Sequence, residues 1–139
     1  MKSLNPYINF SGKCREALNF YKECLSGEIE ALSTFAEAPG ETDEKFRDNV
    51  MHSEFRADGI YFMATDGMPG KDAVAGNNIM LTIRLTDEQE QTRIFDALSR
   101  GGEVMQPLED TFWGSRFGML VDRYNIHWML DCPKQQSKS

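Results

Sequence analysis

The sequence predicts an α+β protein made of two βαβββ modules, which form a curved, cleft-bearing mixed β-sheet with the helices outside. The main observation is an internal repeat. Residues 60–66 and 126–131 share the order isoleucine, ring, ring, methionine, and both end in aspartate. Ile60 and Ile126 are 66 positions apart. A second match is that each predicted helix ends in a glycine followed by glutamate and an aliphatic residue. Duplication of one unit explains both matches.

Module one spans residues 4–66. Alternating apolar residues, helical spacing and turn residues predict the order strand, helix, strand, strand, strand. Gly27 ends the helix, and Asp58-Gly59 is a strong signal for a tight hairpin. The expected elements are a strand over 4–10, a helix over 13–25, strands over 28–35, 50–56 and 60–65, and a loop over 38–49.

A glycine-containing linker, residues 67–77, leads into module two, residues 78–132, and the whole chain 1–139 is expected to be one domain. Thr86 is expected to cap the second helix, with Gln89 three residues later as in a capping box. The glycines at 101 and 102 end that helix. The expected strands cover residues 78–85, 103–108, 116–121 and 126–130.

Composition and charge narrow the class of function. The 139 residues carry a net charge of −7, and no stretch concentrates lysine or arginine, so nucleic-acid binding is excluded. No apolar run has the length of a membrane span, and the first ten residues do not resemble a secretory signal, so a cytoplasmic location is expected. The three cysteines form no CxxC pair and are expected to be reduced thiols without a catalytic role.

Strand alternation predicts which side chains point toward a helix and which toward the open, concave side of a sheet. In residues 116–121 the helix side is assigned to Phe117, Met119 and Val121. The other residues expected on the helix side are Ile60, Phe62, Ala64, Ile126, Trp128 and Leu130. The residues expected on the open side are Tyr61, Met63, Thr65, Arg116, Gly118, Leu120, His127, Met129 and Asp131.

Several motifs, spread over nearly the whole chain, carry a family resemblance. They are Asn5-Pro6-Tyr7-Ile8-Asn9-Phe10, Ala17-Leu18 with Phe20-Tyr21, Val50-Met51-His52, the run DTFWGSRFG over residues 110–118, and Trp128. With these motifs the paired modules resemble the vicinal oxygen chelate superfamily, which includes glyoxalase I, extradiol dioxygenases and bleomycin-resistance proteins. Within it the chain resembles the PhnB-like group. The motifs imply neither methyl transfer nor phosphonate chemistry, and no glycine-rich loop for phosphate or S-adenosylmethionine is present.

The resemblance also allows a test for a metal site. Metal-dependent members of the superfamily hold a divalent ion with one histidine or glutamate from each of four strands. Those positions fall near Pro6, Met63, Met80 and Met129. Proline has no side-chain donor, and a thioether is a poor ligand for hard divalent ions. The chain is therefore expected to hold no metal and to need no cofactor, and no catalytic residue is assigned.

The expected function is the binding of a small, partly aromatic or amphipathic organic molecule in an apolar cleft, by resemblance to the bleomycin-resistance proteins. The same resemblance implies a homodimer, with the modules paired within one chain or exchanged between two. Each histidine is either a general base or polar lining, and Arg116 either holds an anionic group or pairs with a nearby carboxylate. The residues expected to contact the ligand are His52, Glu54, Tyr61, Met63, Met80, Trp113, Arg116, His127 and Met129.

Two alternative functions stay open. One is a divalent-metal-dependent lyase, isomerase or dioxygenase like the better-known members of the superfamily. The other is a protein-interaction module that uses the rings of Phe112 and Trp113. Large rings in such a loop form either a lid over a pocket or a contact between subunits.

Overall fold

The computed structural model describes residues 1–134 of the chain. Contacts divide the chain into two compact units, Met1–Val74 and Ala75–Ser139. Within the described residues there are two α-helices of 12 residues each and eight strands in two four-stranded mixed sheets. The prediction of an α+β protein with two βαβββ modules is confirmed. Whether both units form a single domain over 1–139 stays a prediction.

The first unit has the strand order β1-β4-β3-β2. Strand β1 runs parallel to β4, and the other two pairs are antiparallel. A long loop between β2 and β3 contains two short 3-10 turns, Phe35–Glu37 and Glu44–Phe46. The main elements are β1 (Tyr7–Asn9), α1 (Cys14–Leu25), β2 (Glu28–Thr34), β3 (Val50–Ala57) and β4 (Ile60–Thr65).

The second unit repeats this arrangement with the order β5-β8-β7-β6, and β5 runs parallel to β8. Its elements are β5 (Leu81–Arg84), α2 (Glu88–Ser99), β6 (Glu103–Asp110), β7 (Ser115–Val121) and β8 (His127–Pro133). Among residues 1–134, no helix is both long and apolar enough to cross a bilayer.

The strand registers show how closely the two units correspond. Met63 pairs with Tyr7 in the first unit, and Met129 pairs with Thr82 in the second. The register of the two edge hairpins also shifts at the same place, between Ile29 and Ala31 in one and between Val104 and Gln106 in the other. A bulge retained at one position in both copies supports the duplication read from the sequence.

Helix α1 covers one face of the first sheet. Its Tyr21 ring meets the Phe62 ring edge-on at 5.7 Å, and Phe62 stacks on Phe55 at 4.9 Å. The buried carboxylate of Asp66 accepts hydrogen bonds of 2.7 Å from the backbone amides of Cys14 and Val50. Asp66 therefore fixes the first turn of the helix to the start of β3, where the positive end of the helix dipole favours a carboxylate.

Helix α2 covers the corresponding face of the second sheet with a different polar anchor. The buried amide of Gln91 donates to the backbone oxygens of Arg116 and Leu130. Gly118 lies directly under the helix, because a Cβ there would come within 2.8 Å of the Phe95 ring. The indole of Trp128 donates to the carboxylate of Asp122 at 2.8 Å.

The predicted side-chain directions in β7 are wrong by one residue. Gly118 and Leu120 are buried under α2, whereas Phe117 and Met119 are only half-buried on the opposite face. The register explains the reversal, since Leu120 pairs with Trp128 and paired side chains share one face of a sheet. Gly118, in the middle of the strand, has no side chain, so the sequence has no bulky residue there to show which alternate positions face the helix.

The predicted cap of α2 is also wrong by one residue. The helix begins at Glu88, and its N-cap is Asp87 rather than Thr86. The Asp87 carboxylate accepts a hydrogen bond of 2.9 Å from the backbone amide of Gln89. Aspartate is an equally good N-cap residue, and it stands one position nearer to the first free amides of the helix.

Candidate functional site

The candidate site lies on the face of the first sheet that points away from α1, which we call the first open face. Residues on this face alternate with the buried Ser53 and Phe55 of β3 and with Phe62 of β4. Four of its side chains, those of His52, Glu54, Tyr61 and Met63, are half-buried, whereas Tyr7 and Arg56 are exposed. The first open face consists of Tyr7, His52, Glu54, Arg56, Tyr61 and Met63.

Four predicted ligand-contact residues come together on this face. Glu54 on β3 pairs with Met63 on β4, and the hydroxyl of Tyr61 donates to Oε1 of Glu54 at 2.5 Å. This hydrogen bond, with some desolvation, raises the pKa of Tyr61 above its ordinary value. Tyr61 therefore acts as a hydrogen-bond donor to the carboxylate at neutral pH. His52 follows on the same side of β3, two residues before Glu54.

Arg56 completes the arrangement, although the sequence analysis did not select it. Its Nε donates to Oε1 of Glu30 at 2.8 Å, and its guanidinium lies 4.6 Å from the centre of the Tyr61 ring. The sequence could have identified Arg56, because it lies two residues after Glu54 and side chains two apart on a strand point to the same face. The ion pair and the ring contact together hold the Tyr61 side chain in place.

Tyr7 is a second residue that the sequence analysis missed as a site residue. Its hydroxyl lies 3.2 Å from Nδ1 of His52, and the two rings meet edge-on at 5.7 Å. Tyr7 is also the parallel-strand partner of Met63. It stands next to Pro6 in the motif that carries the family resemblance, and its side of the strand becomes known only from the pairing of β1 with β4.

The second sheet has a corresponding face, the second open face, which is more apolar. His127 and Met129 of β8 lie on it as half-buried side chains, as alternation predicts. The neighbouring strand β7 adds Phe117 and Met119, the latter paired with Met129. At one end of the face Asp131 forms an ion pair of 3.2 Å with Arg84. The second open face consists of Thr82, Arg84, Phe117, Met119, Val121, His127, Met129 and Asp131.

The loop between β6 and β7 holds two exposed rings. Phe112 is 97% exposed and Trp113 is 57% exposed. The Trp113 ring meets Phe112 at 5.1 Å and Phe117 at 5.8 Å, both edge-on. The hydroxyl of Thr111 donates to the backbone oxygen of Ser115 and accepts from the backbone amide of the same residue. These contacts hold the rings in a fixed arrangement next to the second open face.

Two predicted site residues are placed differently from the others. Arg116 points to the helix side, where its guanidinium donates to the backbone oxygen of Glu88 and to the side chain of Gln91. Neither of the two predicted roles, holding an anion on the open face or pairing with a carboxylate of β6, agrees with these contacts. Met80 is half-buried and lies just before β5.

The registers also bear on the four positions that the family resemblance implies for a metal. The open-face partner of Met63 is Tyr7 rather than Pro6, and the partner of Met129 is Thr82 rather than Met80. The corrected set still contains two thioethers and neither a histidine nor a carboxylate, so it does not fit a hard divalent ion. Within the part of the chain that the structure describes, no three His, Cys, Asp or Glu side chains are grouped to hold a metal.

The cysteines lie away from both open faces. Cys14, Cys24 and Cys132 are all buried, and none of them forms a disulfide. Burial raises the pKa of the Cys14 thiol from its ordinary value of 9.0 to about 12. Burial likewise raises the pKa of Cys132. Because the thiolate is the nucleophilic form, neither side chain is suited to covalent catalysis at neutral pH.

Comparison with known proteins agrees with this architecture. The family model described as 3-demethylubiquinone-9 3-methyltransferase matches residues 2–130. Protein YjdN of Escherichia coli K12 is 30% identical over an alignment that covers 96% of this chain and 97% of YjdN.

Solved structures extend the comparison. Protein PA1353 from Pseudomonas aeruginosa is 32% identical with a TM-score of 0.86, covering 97% of this chain and 100% of its own. A PhnB protein from Bacillus cereus, described as a putative 3-demethylubiquinone-9 3-methyltransferase, is 27% identical with a TM-score of 0.78. The match covers 94% of this chain and 99% of the Bacillus cereus chain. The fosfomycin resistance protein FosX from Listeria monocytogenes shares the fold alone. It is 12% identical with a TM-score of 0.68, and the match covers 96% of this chain and 95% of FosX. The chain therefore belongs to the 3-demethylubiquinone-9 3-methyltransferase family, and it is similar to the PhnB protein of Bacillus cereus.

Proposed function

We propose that this chain binds a small, partly aromatic or amphipathic organic molecule without a metal ion, and that the first open face is its main contact surface. The observation that carries the proposal is the set of half-buried polar and aromatic side chains joined by hydrogen bonds on that face. Glu54, Tyr61 and His52 supply polar groups, and Met63 supplies an adaptable apolar surface.

A sheet face is well suited to this role because its side chains have fixed positions. Tyr61 is held by Glu54 on one side and by the guanidinium of Arg56 on the other. His52 is held by Tyr7. Groups that are ordered before the ligand arrives lose little conformational freedom on binding, which favours affinity.

The second open face is proposed as a further apolar contact surface. Its predicted contact residues are His127 and Met129, with Met80 and Trp113 at its margins. Phe117 and Met119 join this proposal because the structure gives them the same side. No covalent step is proposed for either face.

The test is a titration of isotope-labelled, chelator-treated protein with a library of small aromatic and amphipathic compounds, followed by backbone-amide NMR. A bound compound should shift the amides of β3 and β4 and should keep its affinity in the presence of the chelator. His52→Asn should weaken binding about threefold to tenfold by removing one polar contact. Asn19→Ala, which shortens an exposed polar side chain of α1 away from both open faces, is the control and should leave the affinity unchanged.

Two results would contradict the proposal. One is binding that appears only after a stoichiometric divalent ion is added, which would favour the metal-dependent lyase, isomerase or dioxygenase. The other is a compound that binds tightly without shifting any amide of β3 or β4. If no compound in the library shifts the amide signals of β3 or β4, the proposal that the first open face binds a ligand is also contradicted.

A second candidate function is protein interaction through Phe112 and Trp113, and their exposure in a well-ordered loop favours it. Its test is whether Trp113→Ala loses a bound protein, a second copy of the chain included, while the variant still unfolds cooperatively. The homodimer and the cytoplasmic location expected from the sequence stay predictions.

A further inference from the structure

The carboxylate of Glu54 has a charge that nothing in its own unit neutralises. Arg56 lies two residues after Glu54 on the same side of β3, but its Nε is bonded to Glu30 at 2.8 Å. Within residues 1–134, Glu54 forms no ion pair, and its one hydrogen bond comes from the neutral hydroxyl of Tyr61. The two glutamates and one arginine thus leave this part of the face with an excess of negative charge.

One oxygen of Glu54 remains available to a ligand. Tyr61 bonds to Oε1, and no side chain of the described residues bonds to Oε2. Each buried side-chain oxygen or nitrogen in the described chain has a hydrogen-bond partner, so the unpaired Oε2 is accessible rather than buried. On the adjacent strand, Glu54 pairs with Ala31, whose small side chain leaves space beside the carboxylate.

The surroundings of this oxygen are aromatic and polarisable. Tyr61 contacts the carboxylate directly, Met63 is its partner on β4, and Tyr7 follows on β1. Aromatic ring faces attract cations, and Tyr61 already carries the guanidinium of Arg56 at 4.6 Å from its ring centre. A carboxylate bordered by rings and a thioether favours a cation that is attached to an apolar body.

We propose that the ligand of the first open face is an organic ammonium ion, whose N–H donates to Oε2 of Glu54 and whose apolar part lies against Met63 and Tyr7. This inference rests on the proposed function and names its ligand class. An anionic ligand would be repelled by Glu54 and by the net charge of −7. A neutral ligand would leave the half-buried carboxylate without a charged partner.

The experiment compares three probes that share one ring and differ in charge: benzylammonium, benzyl alcohol and benzoate. Each is titrated into the labelled full chain at low ionic strength, and the shifts of the β3 and β4 amides are followed. Benzylammonium should bind at least about tenfold more tightly than the other two, since the charge-assisted hydrogen bond is made by it alone. Added salt should weaken the binding of benzylammonium only.

Glu54→Gln should lower the affinity for benzylammonium about tenfold and should change that for benzyl alcohol much less. Glu103→Gln, an exposed residue of β6, is the matched control, because it changes the net charge equally and should change neither affinity. If Glu54→Gln does not fold, the comparison of the three probes with the unsubstituted chain still decides the question.

The outcomes separate the two proposals. Equal shifts of the β3 and β4 amides by all three probes would overturn the ammonium inference and leave the binding function standing. Tighter binding of benzoate would do the same. A screen in which neither these probes nor the larger library shifts the first open face would overturn both.

Discussion

At the scale of single residues, the thiol of Cys14 gives a clear pH prediction. The unfolded thiol ionises near pH 9, whereas burial holds the folded pKa at about 12. Between these values the unfolded chain binds fewer protons, so it is favoured as the pH rises. The free energy of unfolding should fall through this window by at most about 1.4 kcal/mol per pH unit from this group.

The measurement is urea unfolding of the natural chain and of Cys14→Ala at pH 8, 9 and 10. The cavity in the variant costs the same at each pH, so the difference between the two chains should shrink as the pH rises. Parallel dependences on pH would show that Cys14 does not cause the loss of stability.

The burial of the cysteines also predicts their reactivity. At pH 8 the folded natural chain should resist alkylation until denaturant is added.

The direction of most open-face residues could be read from alternation, whereas their partners could not. Tyr61 and Met63 lie where the pattern put them, because the apolar Phe62 between them sets the phase of the strand. Arg116 was misassigned because glycine follows two positions later and gives no such signal. The contact between Tyr7 and His52 joins residues 45 positions apart, which only the pairing of β1, β4 and β3 brings together.

At the scale of elements, the start of α2 provides a matched pair of substitutions. Asp87→Ala removes the acceptor for the Gln89 amide and should lower the free energy of unfolding by about 1 kcal/mol. Thr86→Ala, one residue earlier, should change it by less than about 0.5 kcal/mol, since Thr86 is exposed and does not cap the helix. Equal losses in chemical unfolding would mean that the cap lies elsewhere or is shared.

Element types were predictable from the sequence, and the ends of the edge strands were not. Strand β1 covers Tyr7–Asn9 instead of residues 4–10, and Leu4 is 98% exposed. Strand β5 similarly begins at Leu81, and Ile79 is 78% exposed. An apolar residue extends a strand only where a neighbouring strand pairs with it, and the pairing of β1 with β4 begins at Tyr7 and that of β5 with β8 at Leu81.

At the scale of the whole molecule, the two units share one topology but carry different chemistry on their open faces. Equivalent register positions are occupied by Glu54 in the first unit and Met119 in the second, each paired with a methionine of the last strand. The helix-side positions of the last strands are apolar and buried in both units, namely Phe62 and Ala64 in the first and Trp128 and Leu130 in the second. Duplication thus preserved the core and left the open faces to diverge, which is why the fold was predictable from the repeat and the ligand was not.

The remaining whole-molecule prediction concerns self-association. We expect sedimentation to give a mass about twice the 15.9 kDa of one chain, as the resemblance to dimeric relatives implies. Phe112 and Trp113 are the best candidates for the contact, because tryptophan and other large rings dominate the energy of interfaces. Trp113→Ala should then raise the dissociation constant of the dimer at least about tenfold.

Met68→Ala, which shortens another exposed apolar side chain, is the control and should leave the dissociation constant unchanged. A dimer that survives Trp113→Ala would assign the rings to another partner or to the ligand, and a monomer at high concentration would contradict the dimer itself.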